Sequence, residues 1–142
     1  MVIDTIWAMG HSNVKATHRN TIEITKDDYI TERGDCIIAC CADKAASDLN
    51  DDFKKLITTS GYSLILTIII AGSSMDIVVG LGLSALRLTD DRRIIFRKSG
   101  YIDNATVMVL ANKAAKDLNR DIINKAKNSE PIEVILIGSK LE

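Results

Sequence analysis

Residues and motifs that mark several common protein classes are scarce in this sequence. The chain of 142 residues contains one proline, two histidines and 4% aromatic residues, and its formal net charge is −1. A charge so close to zero gives no global reason to expect binding to nucleic acid or to an anionic membrane. Because there is a single proline and no low-complexity tract to form a linker, we expect residues 1–142 to fold as a single domain with one core.

The motifs of several common enzyme classes are missing as well. The sequence has no Walker-type loop, no GxSxG and no HExxH, and Gly80-Leu81-Gly82 lacks the third glycine of a dinucleotide-binding loop. We therefore expect no cofactor and no metal, and the balance is against an enzyme. The first nine residues lack the basic start and apolar run of a signal peptide, which favours a cytoplasmic location.

One long apolar stretch, Leu64–Leu86, has the length of a membrane span. It is interrupted by Gly72-Ser73-Ser74 and by Asp76, and a charge inside a bilayer is costly. The stretch therefore predicts two buried strands joined by a turn, and we expect no association with a membrane.

The sequence contains one segment twice. Ala42–Asp52 reads ADKAASDLNDD and Ala111–Asp121 reads ANKAAKDLNRD, with eight of eleven positions identical at an offset of 69 residues. A repeat at half the chain length indicates a duplicated unit, with halves at about 1–71 and 72–142. The halves carry net charges of −3 and +2, which is a weak reason to expect association with a second copy.

Each copy of the repeat has the pattern of an amphipathic helix between strands. Apolar residues recur at helical spacing over 42–56 and again over 111–122, which predicts two helices. The strand-like runs are 3–9, 14–25, 36–41, 62–71, 77–89, 93–98, 105–110 and 132–138, with 14–25 pairing with 3–9 across a turn. The predicted fold class is α+β, mainly β, with strand-helix-strand halves related by a pseudo-two-fold axis in a β-sandwich or partly closed barrel.

The three cysteines, Cys36, Cys40 and Cys41, favour a structural role. On a strand, Cys40 and Cys41 would point to opposite faces and could not bind the same metal ion. The paired CxxC spacing of zinc sites is absent, and Asp35 beside Cys36 disfavours a reactive thiolate. Packing in the core is the simpler interpretation, because free cysteine is among the most buried residue types.

The two histidines, His11 and His18, flank the first predicted turn together with Asn13 and Arg19. His18 is the candidate catalytic residue, as a general acid or base, because a histidine among polar neighbours titrates near neutral pH. The alternative is that both histidines make hydrogen bonds at the surface or within the turn.

A polar cluster precedes each repeat helix, with a basic residue, a glycine and an aspartate just ahead of a buried strand. The candidate ligand-binding residues are Arg33, Asp35, Arg97, Lys98, Tyr101 and Asp103. If the two-fold axis brings both clusters to a common cleft, they could hold a small anionic ligand, since guanidinium groups match carboxylate and phosphate. Salt bridges within each loop are the alternative.

The segment from Ser84 to Gly100 carries five basic and two acidic residues, so binding of a nucleic-acid backbone is a further option there. Phe96 is the one aromatic residue of this segment, so a platform for stacking bases is missing. A solvated hairpin explains these charges more simply.

Motifs along the chain resemble those of a known family. They are GHSNVKATHRNTIEIT (10–25), TERGDCI (31–37), ADKAASDL (42–49), RKSGYID (97–103) and ANKAAKDL (111–118), and they extend over nearly the whole length. In these motifs the chain is similar to an archaeal family known as domain of unknown function 371. The resemblance implies a stand-alone archaeal cytosolic protein with a mainly β, sandwich-like fold and helices, and it implies no activity.

Three functions are consistent with these observations. The first is a protein that binds a small anionic ligand, or a nucleic-acid backbone, in a cleft between the halves. The second is an enzyme with His18 as acid or base, beside Arg19 and a carboxylate such as Asp35. The third is a structural or assembly module, which an extended apolar surface or a large homo-oligomer interface would support.

Overall fold

The computed structural model describes residues 1–141, and the same order of elements occurs in each half of the chain. The first half contains β1 (Val2–Met9), β2 (Thr21–Thr25), β3 (Ile37–Ala39), α1 (Asp51–Ile57) and β4 (Tyr62–Ala71). The second half contains β5 (Ser74–Leu83), β6 (Arg93–Arg97), β7 (Thr106–Met108), α2 (Arg120–Lys127) and β8 (Pro131–Lys140). The duplicated fold predicted from the repeat is therefore confirmed.

The strands form two four-stranded sheets. The large sheet has the order β1-β8-β4-β5, and the small sheet has the order β3-β2-β6-β7. Neighbouring strands are antiparallel except in the pairs β2–β3 and β6–β7. Single bridges, from Met9 to Cys40 and from Leu81 to Val109, connect the edges of the two sheets. The fold is thus the predicted mainly β sandwich with two helices, and it is not closed into a barrel.

The axis that relates the halves passes through both sheets. β4 pairs with β8 and β2 pairs with β6, so the centre of each sheet joins one strand from each half. Thr67 lies opposite Leu136 in the large sheet, and Glu23 lies opposite Ile95 in the small sheet. In both pairs the two residues occupy equivalent positions of the repeat, so these pairs mark where the axis crosses each sheet.

One buried ionic contact occurs in both halves. The Asp4 carboxylate accepts hydrogen bonds from Lys44 Nζ at 2.6 Å and from the backbone N–H of Asn50 at 2.7 Å. The second half repeats this contact with Asp76, Lys113 and Asn119. The lysine and asparagine of the repeated motif therefore bind the strand that opens their own half, which explains why these polar residues recur.

Both predicted helices are shorter than the apolar spacing indicated. Residues 46–48 form a 3₁₀ turn that is separate from α1, and the second repeat has the same arrangement. Ala45 is extended, with φ −110° and ψ −175°, and its N–H donates to the Asp48 carboxylate at 2.9 Å. The predictions of helix over 42–56 and 111–122 are wrong in their first turns, because an aspartate side chain competes there with helical hydrogen bonding.

The strand predicted over 14–25 is also shorter, and its partner is different. β2 contains only five residues and pairs with β3 and β6, whereas β1 pairs with β8. Ala16 has a positive φ of 51°, and its equivalent Leu88 has a φ of 53°, so a regular strand cannot continue through either residue. The same cause shortens the strand predicted over 77–89, of which β5 forms only the part up to Leu83.

The core includes side chains from both halves. Phe53 of α1 and Phe96 of β6 are its largest fully buried side chains. The stretch Leu64–Leu86 contains the predicted pair of strands, because β4 and β5 form a hairpin whose turn includes Gly72 at a φ of 57°. Within residues 1–141, no helix is long and apolar enough to cross a membrane.

Candidate functional site

The large sheet has an apolar side that faces away from the core. Side chains alternate along a strand, so every second residue of β1, β8, β4 and β5 points outward. We define the outer face as these nineteen residues: Ile3, Thr5, Trp7, Met9, Tyr62, Leu64, Leu66, Ile68, Ile70, Met75, Ile77, Val79, Leu81, Leu83, Pro131, Glu133, Ile135, Ile137 and Ser139. Sixteen of them are apolar, and Glu133 is the single charged member of the set.

The outer face is open to solvent. None of its nineteen residues is buried, and Ile3 and Trp7 are each 54% exposed. Helix α1 packs against the opposite side of the sheet, where the side chains of Leu56 and Phe53 lie 3.0 and 3.3 Å from the position that a Cβ of Gly138 would occupy. The part of the chain that the structure describes therefore leaves the outer face uncovered.

The small sheet is not exposed in this way. Its residues that point away from the core include Thr21, Thr25 and Ile95, whose exposures are only 6%, 2% and 3%. The connections between its strands add buried side chains of their own, such as Ile30 and Leu88. The chain therefore covers one of its two sheets on both sides and the other on one side.

The polar residues of the outer face lie at its margins. The strand register places four aliphatic residues at the centre of the face, namely Leu66, Ile68, Ile135 and Ile137. Glu133 and Ser139 lie toward opposite ends of β8, and Thr5 lies on the edge strand β1. An apolar centre with a polar margin is typical of protein–protein interfaces.

A polar group lies on the small sheet where the two-fold axis crosses it. Arg93 extends between Glu23 and Asp90, with nitrogen–oxygen distances of 3.9 and 3.1 Å. Burial raises the pKa of Glu23, and the nearby Arg93 offsets this effect only in part. Cys36 Sγ lies 3.8 Å from Glu23 Oε1, and burial together with this carboxylate raises the pKa of the thiol to about 12. Cys36 therefore stays protonated and does not supply a nucleophile.

The predicted ligand-binding residues lie in two separate places. Arg97 ends β6, pairs with Asp103 at 2.8 Å and lies over the Tyr101 ring, 4.9 Å from its centroid. Arg33 is exposed and Asp35 is half-buried, in the connection that leads into β3. The first group lies beside β7 and the second beside β3, and these two edge strands are about 14 Å apart at ordinary strand spacing.

The contacts of these residues are made within the protein. Lys98 pairs with Asp117 at 3.2 Å, just as its equivalent Lys26 pairs with Asp48 at 3.1 Å. The structure brings Arg97, Tyr101 and Asp103 together, in the manner of the loop salt bridges that are the alternative interpretation. Ligand binding by either group stays a prediction.

Both histidines accept hydrogen bonds from the backbone of their own turns. His11 Nδ1 accepts from the N–H of Asn13 at 3.0 Å, and His18 Nδ1 accepts from the N–H of Asn20 at 3.1 Å. Both rings are half-buried. These contacts match the alternative interpretation of the histidines, and catalysis by His18 stays a prediction.

The structure corrects the prediction for Cys40 and Cys41. β3 ends at Ala39 and Cys41 has a positive φ of 58°, so the two cysteines do not lie on one regular strand. Their Sγ atoms are 3.1 Å apart and do not point to opposite faces. Cys40 is 2% exposed, in agreement with a core position, whereas Cys41 is exposed.

Two shallow concavities lie away from the predicted ligand-binding residues. One, of about 310 Å³, is lined by Trp7, Ala8, Met9, Cys41, Asp43 and Pro131. The other, of about 290 Å³, is lined by Val2, Asp52, Lys55, Leu56 and Thr59. Among residues 1–141, no group of three or more His, Cys, Asp or Glu side chains is placed to hold a metal ion.

Sequence reasoning missed the outer face, although a signal for it is present. A strand with one solvated side alternates apolar and polar residues. Leu64–Ile70 reads LILTIII and is apolar at nearly every position, which predicts a strand covered on both sides. The structure covers only one of these sides with the chain's own residues.

These features define a class of protein: a mainly β sandwich with two equivalent halves and an uncovered apolar sheet. The chain belongs to the family described as domain of unknown function (DUF371), whose model matches residues 6–139. It is similar to an uncharacterized protein of the archaeon Methanocaldococcus jannaschii, with 42% identity over 127 residues, or 89% of this chain and 93% of that protein. The family predicted from the sequence motifs is therefore confirmed.

Proposed function

We propose that this protein is a cytoplasmic assembly module whose outer face packs against the outer face of a second copy of the chain. The observation that carries this proposal is the composition of the face, with sixteen apolar residues among nineteen and a single charge. Monomeric soluble proteins rarely expose a contiguous apolar patch larger than a few hundred Å². A face of this kind is expected to be covered when the protein is at work.

The size of the outer face suits a dimer. Four strands of up to ten residues, spaced by about 4.8 Å and rising about 3.3 Å per residue, give a flat area of about 600 Å². Pairing two such faces removes about 1,200 Å² or more from water, because the relief of the side chains adds to the flat area. Stable specific interfaces bury roughly 1,200–2,000 Å² in total.

The pattern of the face favours a second copy as the partner. In a two-fold dimer the same surface meets itself, so the central aliphatic residues of one chain contact those of the other. Glu133 lies near the margin, where its carboxylate can stay hydrated and is not buried without a partner. The face carries no pattern of charge that would select an acidic or basic partner. Two sheets packed about 10 Å apart also form the ordinary interior of a β-sandwich.

The other candidate functions have less support. Arg97 is already held by Asp103, and the group around Arg33 lies at the other edge of the small sheet. A small anionic ligand or a nucleic-acid backbone would have to displace the first contact and could not easily span both groups. His18 accepts a hydrogen bond from a backbone N–H, so a catalytic role would require that nitrogen to be freed.

Sedimentation equilibrium of the wild-type chain and of Ile68→Lys tests the proposal. Ile68 lies at the centre of the outer face, and a two-fold dimer contains the substitution twice. Burial of an isoleucine contributes about 1.5–3 kcal/mol, so we expect the variant to weaken the dimer by about 3 kcal/mol, or roughly a hundredfold in Kd. The wild-type chain should be a dimer at micromolar concentration, and the variant should be largely a monomer with an unchanged circular dichroism spectrum.

Tyr29→Lys is the matched control, because Tyr29 is 57% exposed and lies outside the outer face. It adds the same charge in place of another exposed apolar residue and should leave the dimer intact. A wild-type chain that stays monomeric contradicts the proposal. So does a dimer that survives Ile68→Lys, because its contact would then lie on another surface.

A further inference from the structure

Cys40 and Cys41 form a pair of adjacent thiols whose geometry comes from the duplicated fold. Cys41 has a φ of 58°, a left-handed conformation that turns the chain so that the two Sγ atoms lie 3.1 Å apart. The equivalent residue of the second half, Leu110, has a φ of 52°. The turn therefore belongs to the repeat, and the first half alone places two thiols on it.

One thiol of the pair is open to solvent and the other is not. Cys41 is exposed and lines the concavity of about 310 Å³ beside Trp7. Cys40 is 2% exposed, and its Sγ lies 3.8 Å from the carbonyl oxygen of Gly10. Burial and the neighbouring thiol raise the pKa of Cys40 to about 12, so this residue stays protonated near neutral pH. A small oxidant therefore meets Cys41 first.

We propose that Cys40 and Cys41 are a site of reversible oxidation to an intramolecular disulfide, with hydrogen peroxide or a related peroxide as the oxidant. The Cys41 sulfur attacks one peroxide oxygen. An S–O bond forms, the O–O bond breaks, and the second oxygen leaves as water with the proton of the thiol. Cys40 Sγ then attacks the Cys41 sulfur. An S–S bond forms, the S–O bond breaks, and the hydroxyl leaves as water with the proton of Cys40.

The electrons balance in this sequence of steps. Two thiols lose two electrons and two protons in total, and one molecule of hydrogen peroxide gains them to give two molecules of water. The 3.1 Å separation places the resolving sulfur next to the sulfur it attacks, so the second step needs little movement of the chain.

A disulfide at this position is expected to be labile. Consecutive Cα atoms are about 3.8 Å apart, whereas most disulfides join Cα atoms about 4.4–6.8 Å apart. A disulfide between neighbouring residues is therefore strained, and strained disulfides are reduced more readily than structural ones. This favours a reversible modification over a permanent cross-link.

Trp7 supplies a spectroscopic readout for the site. It is the one tryptophan of the chain, and it lines the same concavity as Cys41. Its backbone N–H donates to Asp43 Oδ1 at 2.9 Å, and its carbonyl accepts from the N–H of Asp43 at 3.0 Å. Because Asp43 follows Cys41 by two residues, a new bond at Cys41 should change the surroundings of the indole.

The experiment treats the full chain with an equimolar amount of hydrogen peroxide and records its intact mass and Trp7 fluorescence. We expect the loss of two hydrogen atoms, no covalent dimer, a change in fluorescence and full reversal by dithiothreitol. Cys36→Ser is the matched control and should behave like the wild-type chain. Cys41→Ser changes an exposed residue, so it should fold normally and show neither the mass loss nor the reversal.

Phenylarsine oxide, which binds pairs of nearby thiols, gives a second test without an oxidant. One molecule should bind per chain of the wild-type protein and of Cys36→Ser, and none should bind to Cys41→Ser. The proposal is overturned if the wild-type chain keeps its mass or forms disulfides only between chains. It is also overturned if Cys41→Ser loses two hydrogen atoms like the wild-type chain.

Discussion

Replacing Asp4 with asparagine removes the charge from the most buried carboxylate among the ion pairs of residues 1–141. The Asp4 side chain is 2% exposed, and it accepts hydrogen bonds from Lys44 Nζ at 2.6 Å, Asn50 N–H at 2.7 Å and Thr5 N–H at 2.8 Å. Asparagine keeps one acceptor oxygen but turns an NH₂ group toward donors that had bonded to the other. The substitution therefore breaks an ion pair and leaves donors unsatisfied without a large change in volume.

The expected loss of stability is about 3 kcal/mol. Removing one partner of a buried ion pair costs about 3–5 kcal/mol, because the remaining charge is left uncompensated. The Lys44 side chain is 24% exposed, so its ammonium group regains some hydration, and we expect the lower end of the range. In a chain of this length a loss of that size lowers the Tm by about 6–12 °C.

Urea unfolding at a fixed protein concentration measures this loss, and the concentration is held constant because self-association adds to apparent stability. Asp76→Asn is the matched variant, since Asp76 has equivalent partners but its side chain is 12% exposed. It should cost less than Asp4→Asn. A cost for Asp4→Asn below about 1 kcal/mol, the typical cost of an average substitution, would refute this reasoning. So would a larger cost for Asp76→Asn.

Two further predictions concern the small sheet and a close backbone contact. Glu23→Gln should stabilise the protein at neutral pH: burial raises the folded-state pKa of Glu23 above its usual 4.5, so the stability that Glu23 contributes is complete below pH 4.5 and is lost as the pH rises through the folded-state pKa. Urea midpoints across this range should therefore converge in acid, and a destabilised variant at neutral pH contradicts the assignment. Gly10→Ala should cost about 3 kcal/mol or more, because the added Cβ would overlap the backbone carbonyl of Ala126. Gly100→Ala, which meets nothing within 4 Å, should change stability by no more than about 0.5 kcal/mol, and equal Tm shifts for the two variants would contradict the contact.

The sequence predicts the architecture well because two independent signals agree. The repeat at an offset of 69 residues establishes the duplication, and the strands β4 and β5 follow from continuous apolar runs separated by a glycine-containing turn. The helices are predicted less well. Their apolar spacing is genuine, but the Asp48 carboxylate binds the N–H of Ala45 and breaks the helix that the spacing favours.

The features that sequence reasoning missed depend on information outside the local pattern. A positive φ at Cys41 is imposed by the fold and is not signalled by a glycine, so the approach of the two thiols was not expected. The run Leu64–Ile70 correctly predicts a strand with two apolar sides. It cannot indicate whether the second layer comes from the same chain or from another molecule, and that distinction separates a core strand from an interface strand.

The order of strands in the large sheet means that neither half of the chain owns a complete sheet. β1 and β4 belong to the first half, yet β8 of the second half lies between them, and the small sheet likewise joins β2 to β6. A chain fragment ending near Gly72 would therefore lack a neighbour for β1 and one neighbour of β4, and would have to recruit them from another fragment. In physical terms the protein is a covalently joined dimer of a unit of about 70 residues, in which one short hairpin turn replaces the association step that two separate chains would need.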